Sequence, residues 1–187
     1  AALNVCNIGV MNHRLPLFAA GLLAASSIQA QHDEQRPNIL FILADDLGYA
    51  DLSCYGNEYI RTPYIDSLAA TGVRFTHCYA GSAVSSPSRC TLMTGKHTGH
   101  STIRDNFVMA GGIEGKKGAQ TIRRMHLQES DTTIADVLRA AGYRTCLVNK
   151  WHLDGFNPEA TPLNRGFDEF YGWLISTAHS NDPYYYP

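Results

Sequence analysis

Ser85-Ser86-Pro87-Ser88-Arg89-Cys90-Thr91-Leu92-Met93-Thr94-Gly95 is the most informative stretch of this chain. Pro87 suits the first turn of a helix, because the N–H it lacks is unsatisfied there anyway. Leu92 and Met93 supply an inward face, and Gly95 is a stop signal. The spacing therefore predicts a helix with Ser85 at its N-terminus. Free N–H groups and the helix macrodipole favour an anion at that end. Arg89 lies one turn on, so both side chains can face one ligand. Spacing alone also fits a Ser-rich helix cap with a solvated Arg.

The surroundings give this helix a context. Upstream, Ile39-Leu40-Phe41-Ile42-Leu43-Ala44 is a continuous apolar run, the pattern of a strand buried on both faces of a parallel sheet. It ends in Asp45-Asp46. Thr62-Pro63 caps and starts a helix through Ile65, Leu68 and Ala69 to Gly72. Val73 to Tyr79 alternates like a half-buried strand. Residues 107–130 lack a clear period, carry glycines and basic clusters, and read as a loop or insertion near the mouth of a site. Thr133-Ile134-Ala135-Asp136 has the form of a capping box. Ile134, Val137, Leu138 and Ala141 then form one helical face before Gly142. Tyr143 to Val148 reads as another strand, followed by Asn149-Lys150-Trp151-His152.

Strands alternating with helices indicate an α/β sheet, and ligands of such sheets bind beyond the carboxyl ends of the strands. Asp45, Asp46, Lys150 and His152 all fall just past expected strand ends, and Ser85 opens a helix after a strand. The chemically useful residues are thus expected at one sheet edge. Adjacent carboxylates repel unless something positive lies between them. A hard cation such as Ca²⁺ or Mg²⁺ takes oxygen ligands. A turn in which one Asp caps and the other faces solvent is the competing reading of Asp45-Asp46.

The chain has 187 residues, 44% of them hydrophobic, enough for one domain with a core. A net charge of −2 and the lack of a basic run argue against a nucleic-acid partner. Met11 opens a charged segment, Asn12-His13-Arg14. An apolar run from Leu15 to Ala25 follows, and then a small-residue site ending at Ala30. That is the pattern of a signal peptide over residues 11–30, too short for a stable membrane span. Residues 1–10 read as an upstream remnant and 31–187 as the exported part. Cys54, Cys78, Cys90 and Cys146 allow three pairings, and burial as free thiols is the expected state. No CxxC or His/Cys cluster points to zinc.

Residues 85–95 fit the pattern (Cys/Ser)-x-Pro-Ser-Arg-x-x-Leu-(Leu/Met)-Thr-Gly at every fixed position. In this the chain resembles the type I, formylglycine-dependent sulfatases of the alkaline-phosphatase-like superfamily. Gly142-Tyr143-Arg144-Thr145, running on to Lys150-Trp151-His152-Leu153, is similar to the second signature of that family. The departure is Asn149, where the family usually has Gly; Asn tolerates a left-handed backbone better than most residues. The resemblance covers about Pro37 to the end. It implies a mostly parallel sheet covered by helices on both faces, truncated at the C-terminus. Later metal ligands and the residue that protonates the leaving alcohol would lie beyond Pro187.

By resemblance, Ser85 is the residue converted to formylglycine by a radical maturase. Its hydrate would attack sulfur, and the sulfated intermediate would expel sulfate by collapsing to the aldehyde. Asp45 and Asp46, with the residue derived from Ser85, would bind Ca²⁺, Mg²⁺ being the alternative. Arg89 would hold the aldehyde hydrate, Lys150 the sulfate and the hydrate, and His152 would accept a proton from the second hydroxyl as the sulfated intermediate collapses, a task that suits a histidine. Asp51 reads as structural. His97, His100 and Asn106 fit either a pocket border or a polar loop. His179, near Tyr184-Tyr185-Tyr186, is a candidate sugar contact. The implied function is sulfate removal from a sulfated glycan or aryl sulfate by an exported, periplasmic or secreted bacterial enzyme. A phosphoesterase of the same superfamily and a non-catalytic glycan-binding relative are the rivals.

Overall fold

The computed structural model describes residues 36–174 and the backbone of Tyr184–Tyr186. The expected leader, residues 11–30, and His179 lie outside the described residues. The chain folds as two compact units that meet in sequence between Cys78 and Tyr79.

In the first unit, two single-turn 3-10 helices, Tyr49–Asp51 and Ser53–Tyr55, precede helix α1, Pro63–Thr71. The Thr62-Pro63 start and the Gly72 stop are where the sequence puts them. Asp66 in the first turn of α1 ties it to the second 3-10 turn. Its carboxylate accepts from Ser53 Oγ at 2.5 Å, Cys54 N at 2.9 Å and Thr62 Oγ1 at 3.0 Å. These bonds, that from Ser53 foremost, hold the carboxyl below the usual carboxylate range. Asp51 accepts the Gly48 N–H at 2.6 Å and so closes its own turn, the structural role expected of it.

Neither strand expected here forms. Residues 39–44 and 73–79 are irregular. Leu40 is 68% and Ile42 60% exposed, and Val73, Phe75 and Tyr79 are exposed as well. An apolar run supplies a strand's burial but not its ladder. Neither segment has a strand partner within its unit, and a strand is defined by such pairing.

The second unit carries the core. Helix α2 spans Ser85–Thr94 and ends at Gly95, whose N–H returns to the Thr91 carbonyl at 2.9 Å. Residues 107–130 are not a plain loop. They contain a hairpin of β1, Ile113–Lys117, and β2, Gln120–Arg124, paired antiparallel from Ile113↔Arg124 to Lys117↔Gln120. Its two-residue connection, Gly118-Ala119, puts Gly118 at φ +60, a backbone that glycine adopts without steric cost. Helix α3, Ile134–Ala140, opens with the expected capping box: Thr133 Oγ1 accepts from Asp136 N, and the Asp136 carboxylate accepts from Thr133 N.

Strand β3, Cys146–Lys150, starts later than expected and runs through Lys150. It pairs in parallel with β4, Glu169–Trp173, and β4 pairs antiparallel with β5, Tyr184–Tyr186. The sheet order is β3-β4-β5, so the described sheet is mixed. The parallel pair is joined by a crossover containing two 3-10 turns, Pro158–Ala160 and Pro162–Asn164. Asn149, inside β3, has φ 84 and faces Gly172 across the pair. A Cβ at position 172 would fall 2.0 Å from the Asn149 carbonyl oxygen, so the two backbones approach closer than any side chain permits.

Cys90, Ile103, Leu127, Ala135, Trp151, Leu153, Phe167 and Phe170 form the buried cluster. Trp151 meets Phe167 edge to face at 5.9 Å and donates its indole N–H to the Ala160 carbonyl at 2.8 Å. The cysteines Cys54, Cys78, Cys90 and Cys146 are free thiols, as expected, but only Cys90 is buried and Cys146 is exposed. Cys146 is the first residue of β3, where its side chain faces away from the cluster.

Candidate active site

Helix α2 presents Ser85 as its first helical residue. The residue before it, Val84, is extended and offers no side-chain cap. The first-turn N–H groups are served from elsewhere: Asn106 Oδ1 accepts from Ser86 N at 2.9 Å. This cap comes from twenty residues away, so no local pattern announces it.

Two side chains converge on the Ser85 hydroxyl. Arg89 Nε donates to Ser85 Oγ at 3.3 Å, across the one-turn spacing the sequence predicts. His152 Nδ1 lies 3.2 Å from the same oxygen. Arg89 Nη1 also donates to the Lys150 carbonyl at 2.7 Å. The guanidinium thus bridges the start of α2 to the end of β3: Ser85, Arg89 and His152 meet through their side chains, and Lys150 joins through its backbone carbonyl.

His152 is placed by the β3–β4 ladder continuing past its formal end. Trp151 N donates to Trp173 O at 2.9 Å and His152 N to Leu174 O at 2.7 Å. Trp151 turns into the core and His152, with φ 63, turns back toward α2. A hydroxyl beside both an imidazole and a permanent cation is the arrangement of an activated nucleophile with a charge stabiliser.

Below this site, Asp131 fixes the far end of α2. Its buried carboxylate accepts from Lys96 Nζ at 2.5 Å, Thr102 Oγ1 at 2.7 Å and Gln128 N at 3.0 Å. Burial pushes the carboxyl up, but these donors outweigh it and leave it below its ordinary value.

The other expected residues divide. His97 and His100 are exposed, with ring centroids 6.5 Å apart, and fit the polar-loop reading. Asp45 and Asp46 are exposed in the first unit, on a bend where Asp46 has φ 57. Their oxygens are the donor type a hard cation takes, and such a cation needs about six to eight. Among the described residues no three His, Cys, Asp or Glu side chains gather into a metal-binding group. The pair therefore fits the cation as part of a donor set. Sequence reasoning missed Arg124 and Asp154, buried polar residues beside the His152 turn.

The family profile described as Sulfatase matches residues 37–187. The chain is 40% identical over 158 residues to Arylsulfatase D of Homo sapiens, covering 79% of this chain and 25% of that protein. It is 39% identical over 171 residues to an N-acetylgalactosamine-6-O-sulfatase of Bacteroides thetaiotaomicron, covering 89% of this chain and 30% of that one. Among solved structures, it matches Ps i-CgsB in complex with k-i-k-neocarrahexaose with a TM-score of 0.57 at 35% identity, covering 71% of this chain and 27% of that one. The chain thus spans about a quarter to a third of the length of these relatives.

Proposed function

The chain belongs to the sulfatase family, and from that premise we propose that the whole protein is a sulfuric ester hydrolase acting on a sulfated glycan. The observation that carries the reading is the convergence of Arg89 Nε and His152 Nδ1 on Ser85 Oγ at the start of α2. Ser85 and Arg89 lie within a segment, residues 85–95, that fits the first family signature at every fixed position.

Ser85 is the residue we assign to oxidation by a radical maturase. The formylglycine formed there supplies, as its hydrate, the nucleophilic oxygen and a way to release sulfate without water attacking sulfur. Arg89 orients that oxygen and stays charged at any working pH. Lys150 is assigned to the sulfate. His152, at 3.2 Å from the position 85 oxygen, takes up the proton from it. Asp45 and Asp46, with the oxygen at position 85, would hold Ca²⁺ or Mg²⁺, which supplies positive charge against the sulfate.

The sulfated-glycan assignment draws on the relatives, one named for N-acetylgalactosamine 6-O-sulfate and one solved with a neocarrahexaose. His179 would contact the sugar. In the whole protein the sheet would be mostly parallel and covered by helices on both faces, as in alkaline-phosphatase-like enzymes. Residues 11–30 would direct export to the periplasm or beyond, 31–187 being the first part of the catalytic domain. Among the described residues no helix is long and apolar enough to cross a membrane.

Peptide mass analysis of active full-length protein tests the assignment. The expected result is formylglycine at position 85, with Ser85→Ala folded and inactive. Intact serine in an enzyme that cleaves phosphate esters instead would favour the phosphoesterase reading. The direct Ser85–His152 contact also suits that reading.

A further inference from the structure

Beside the His152 turn lie two opposite charges that the proposed reaction does not use. Arg124, the last residue of β2, is 5% exposed, and Asp154 is 4% exposed. The guanidinium carbon of Arg124 sits 5.2 Å from the ring centroid of Phe107 and 5.3 Å from that of Phe156. The cation is thus in contact with two aromatic rings. Arg124 Nε and Nη1 and Asp154 Oδ1 are buried without a hydrogen-bond partner among the described residues. Asp154 Oδ2 accepts the Phe156 N–H at 3.1 Å. Burial pushes the Asp154 carboxyl up to about 6, and the Arg124 charge works against that rise. That positive charge favours the ionised form of the carboxylate.

These groups enclose the turn that carries His152. Within five residues, His152, Gly155 and Phe156 all have positive φ, at 63, 53 and 68. Single non-glycine residues in that region are costly unless their surroundings hold them. The turn is held on one side by the bond from His152 N to Leu174 O, 2.7 Å, and on another by that from Leu127 N to Leu153 O, 3.1 Å. Phe156 closes it: the ring packs where a Cβ on Gly115 of β1 would lie, 2.6 Å from ring carbons. Its N–H is bound by Asp154 and its face by Arg124. Lys117 lies 4.9 Å from the Phe107 centroid, and the His126 backbone lies against Gly155, with burial and then the Arg165 charge holding its imidazole below the ordinary histidine range.

We propose that Asp154 and Arg124 are positioning residues for His152, a buried pair of opposed charges that keeps its turn closed so that Nδ1 stays at the position 85 oxygen. The inference rests on the sulfatase reading of that site for its catalytic consequence. Neutralising Asp154 would leave a buried guanidinium without a counter-charge, a strongly unfavourable state. The guanidinium would then move toward water, release Phe156 and loosen the turn. A displacement of about 1 Å at a catalytic group can cost on the order of 100-fold in rate.

The test uses full-length protein, steady-state hydrolysis of a sulfate ester, and hydrogen exchange of the His152 amide. Asp154→Asn is expected to lower kcat at least ten-fold with KM within two-fold. It should also speed hydrogen exchange of the His152 amide, which Leu174 O holds while the turn is closed. Asp154→Glu should recover part of both. If Asp154→Asn does not fold, Arg124→Lys, which keeps the charge but not the planar stack, should show the same kcat loss. Unchanged kcat and unchanged His152 amide exchange in a folded variant would overturn the proposal. So would a loss of turnover that only follows the loss of folded protein. If the wild-type protein shows no sulfatase turnover, the sulfatase reading falls instead, and exchange of the His152 amide alone decides the positioning claim.

Discussion

Replacing Asp131 should cost more than any other single change near the far end of α2. The carboxylate is 2% exposed and takes three donors: Lys96 Nζ, Thr102 Oγ1 and the Gln128 N–H. In Asp131→Ala the Gln128 N–H loses its acceptor in a part-buried place, a penalty of about 1–3 kcal/mol. Thr102 loses a bond to a charged acceptor but can rotate, so about 1 kcal/mol is a fair figure. Lys96 is partly exposed and regains water, so it is left out of the sum. The total is about 3 kcal/mol for Ala and about half that for Asn, which keeps one carbonyl oxygen. With a urea slope of about 3 kcal/mol/M or more for a large protein, Asp131→Ala should lower the unfolding midpoint of the whole protein by up to about 1 M. The buried Trp151 reports the transition by fluorescence. The pH dependence has a definite sign. The folded-state pKa of Asp131 is below its ordinary value. Its stabilisation is therefore full above the unfolded pKa of about 3.9 and is lost as pH falls through the lower folded value. The gap between wild type and Asp131→Asn should be constant from neutral pH down to about 5 and close at more acid pH. An Asn variant as stable as wild type at pH 7 would refute the reasoning, as would a gap that widens on acidification.

Three further outcomes follow from the site and core. Arg89→Lys cannot keep both the Ser85 and Lys150 contacts, so turnover should fall about 100-fold with melting little changed; kinetics and calorimetry on the same sample check this. Asp45→Asn and Asp46→Asn should each lower activity by orders of magnitude. Chelation of the wild type should do the same and Ca²⁺ should reverse it, while full activity in a metal-stripped sample would contradict the assignment. Burial pushes the Cys90 thiol pKa up and closes it from solvent, so iodoacetamide should label it only after unfolding.

The three helices were legible because their ends are written locally: Thr62-Pro63, Pro87 with Gly95, and the Thr133/Asp136 box each act within a few residues. Ser85, Arg89 and His152 were legible as one site because helix spacing and strand-end position are also local rules. The strands expected at 39–44 and 73–79 were not reliable, since hydrophobicity says what wants burial and not which neighbour completes a ladder. The hairpin was missed for the opposite reason. Its inner face is Ile113, Gly115, Lys117, Ile122 and Arg124, too polar for an apolar alternation to stand out. The signal available was the two-residue Gly118-Ala119 connection with Gly first. Arg124 and Asp154 had no signal at all, because thirty residues separate them and only the fold brings them to one turn.

The crossing of Asn149 and Gly172 sets an order on how this chain can change. While residue 149 holds its left-handed backbone, its carbonyl occupies the space any side chain at 172 would need. A mutation at 172 alone is therefore blocked, whereas one at 149 that restores an ordinary strand backbone opens the second position. In a library varied at both sites, accepted side chains at 172 should occur only in members already altered at 149. Single-site scans would score 172 as immutable and miss that its constraint is written in the neighbouring strand.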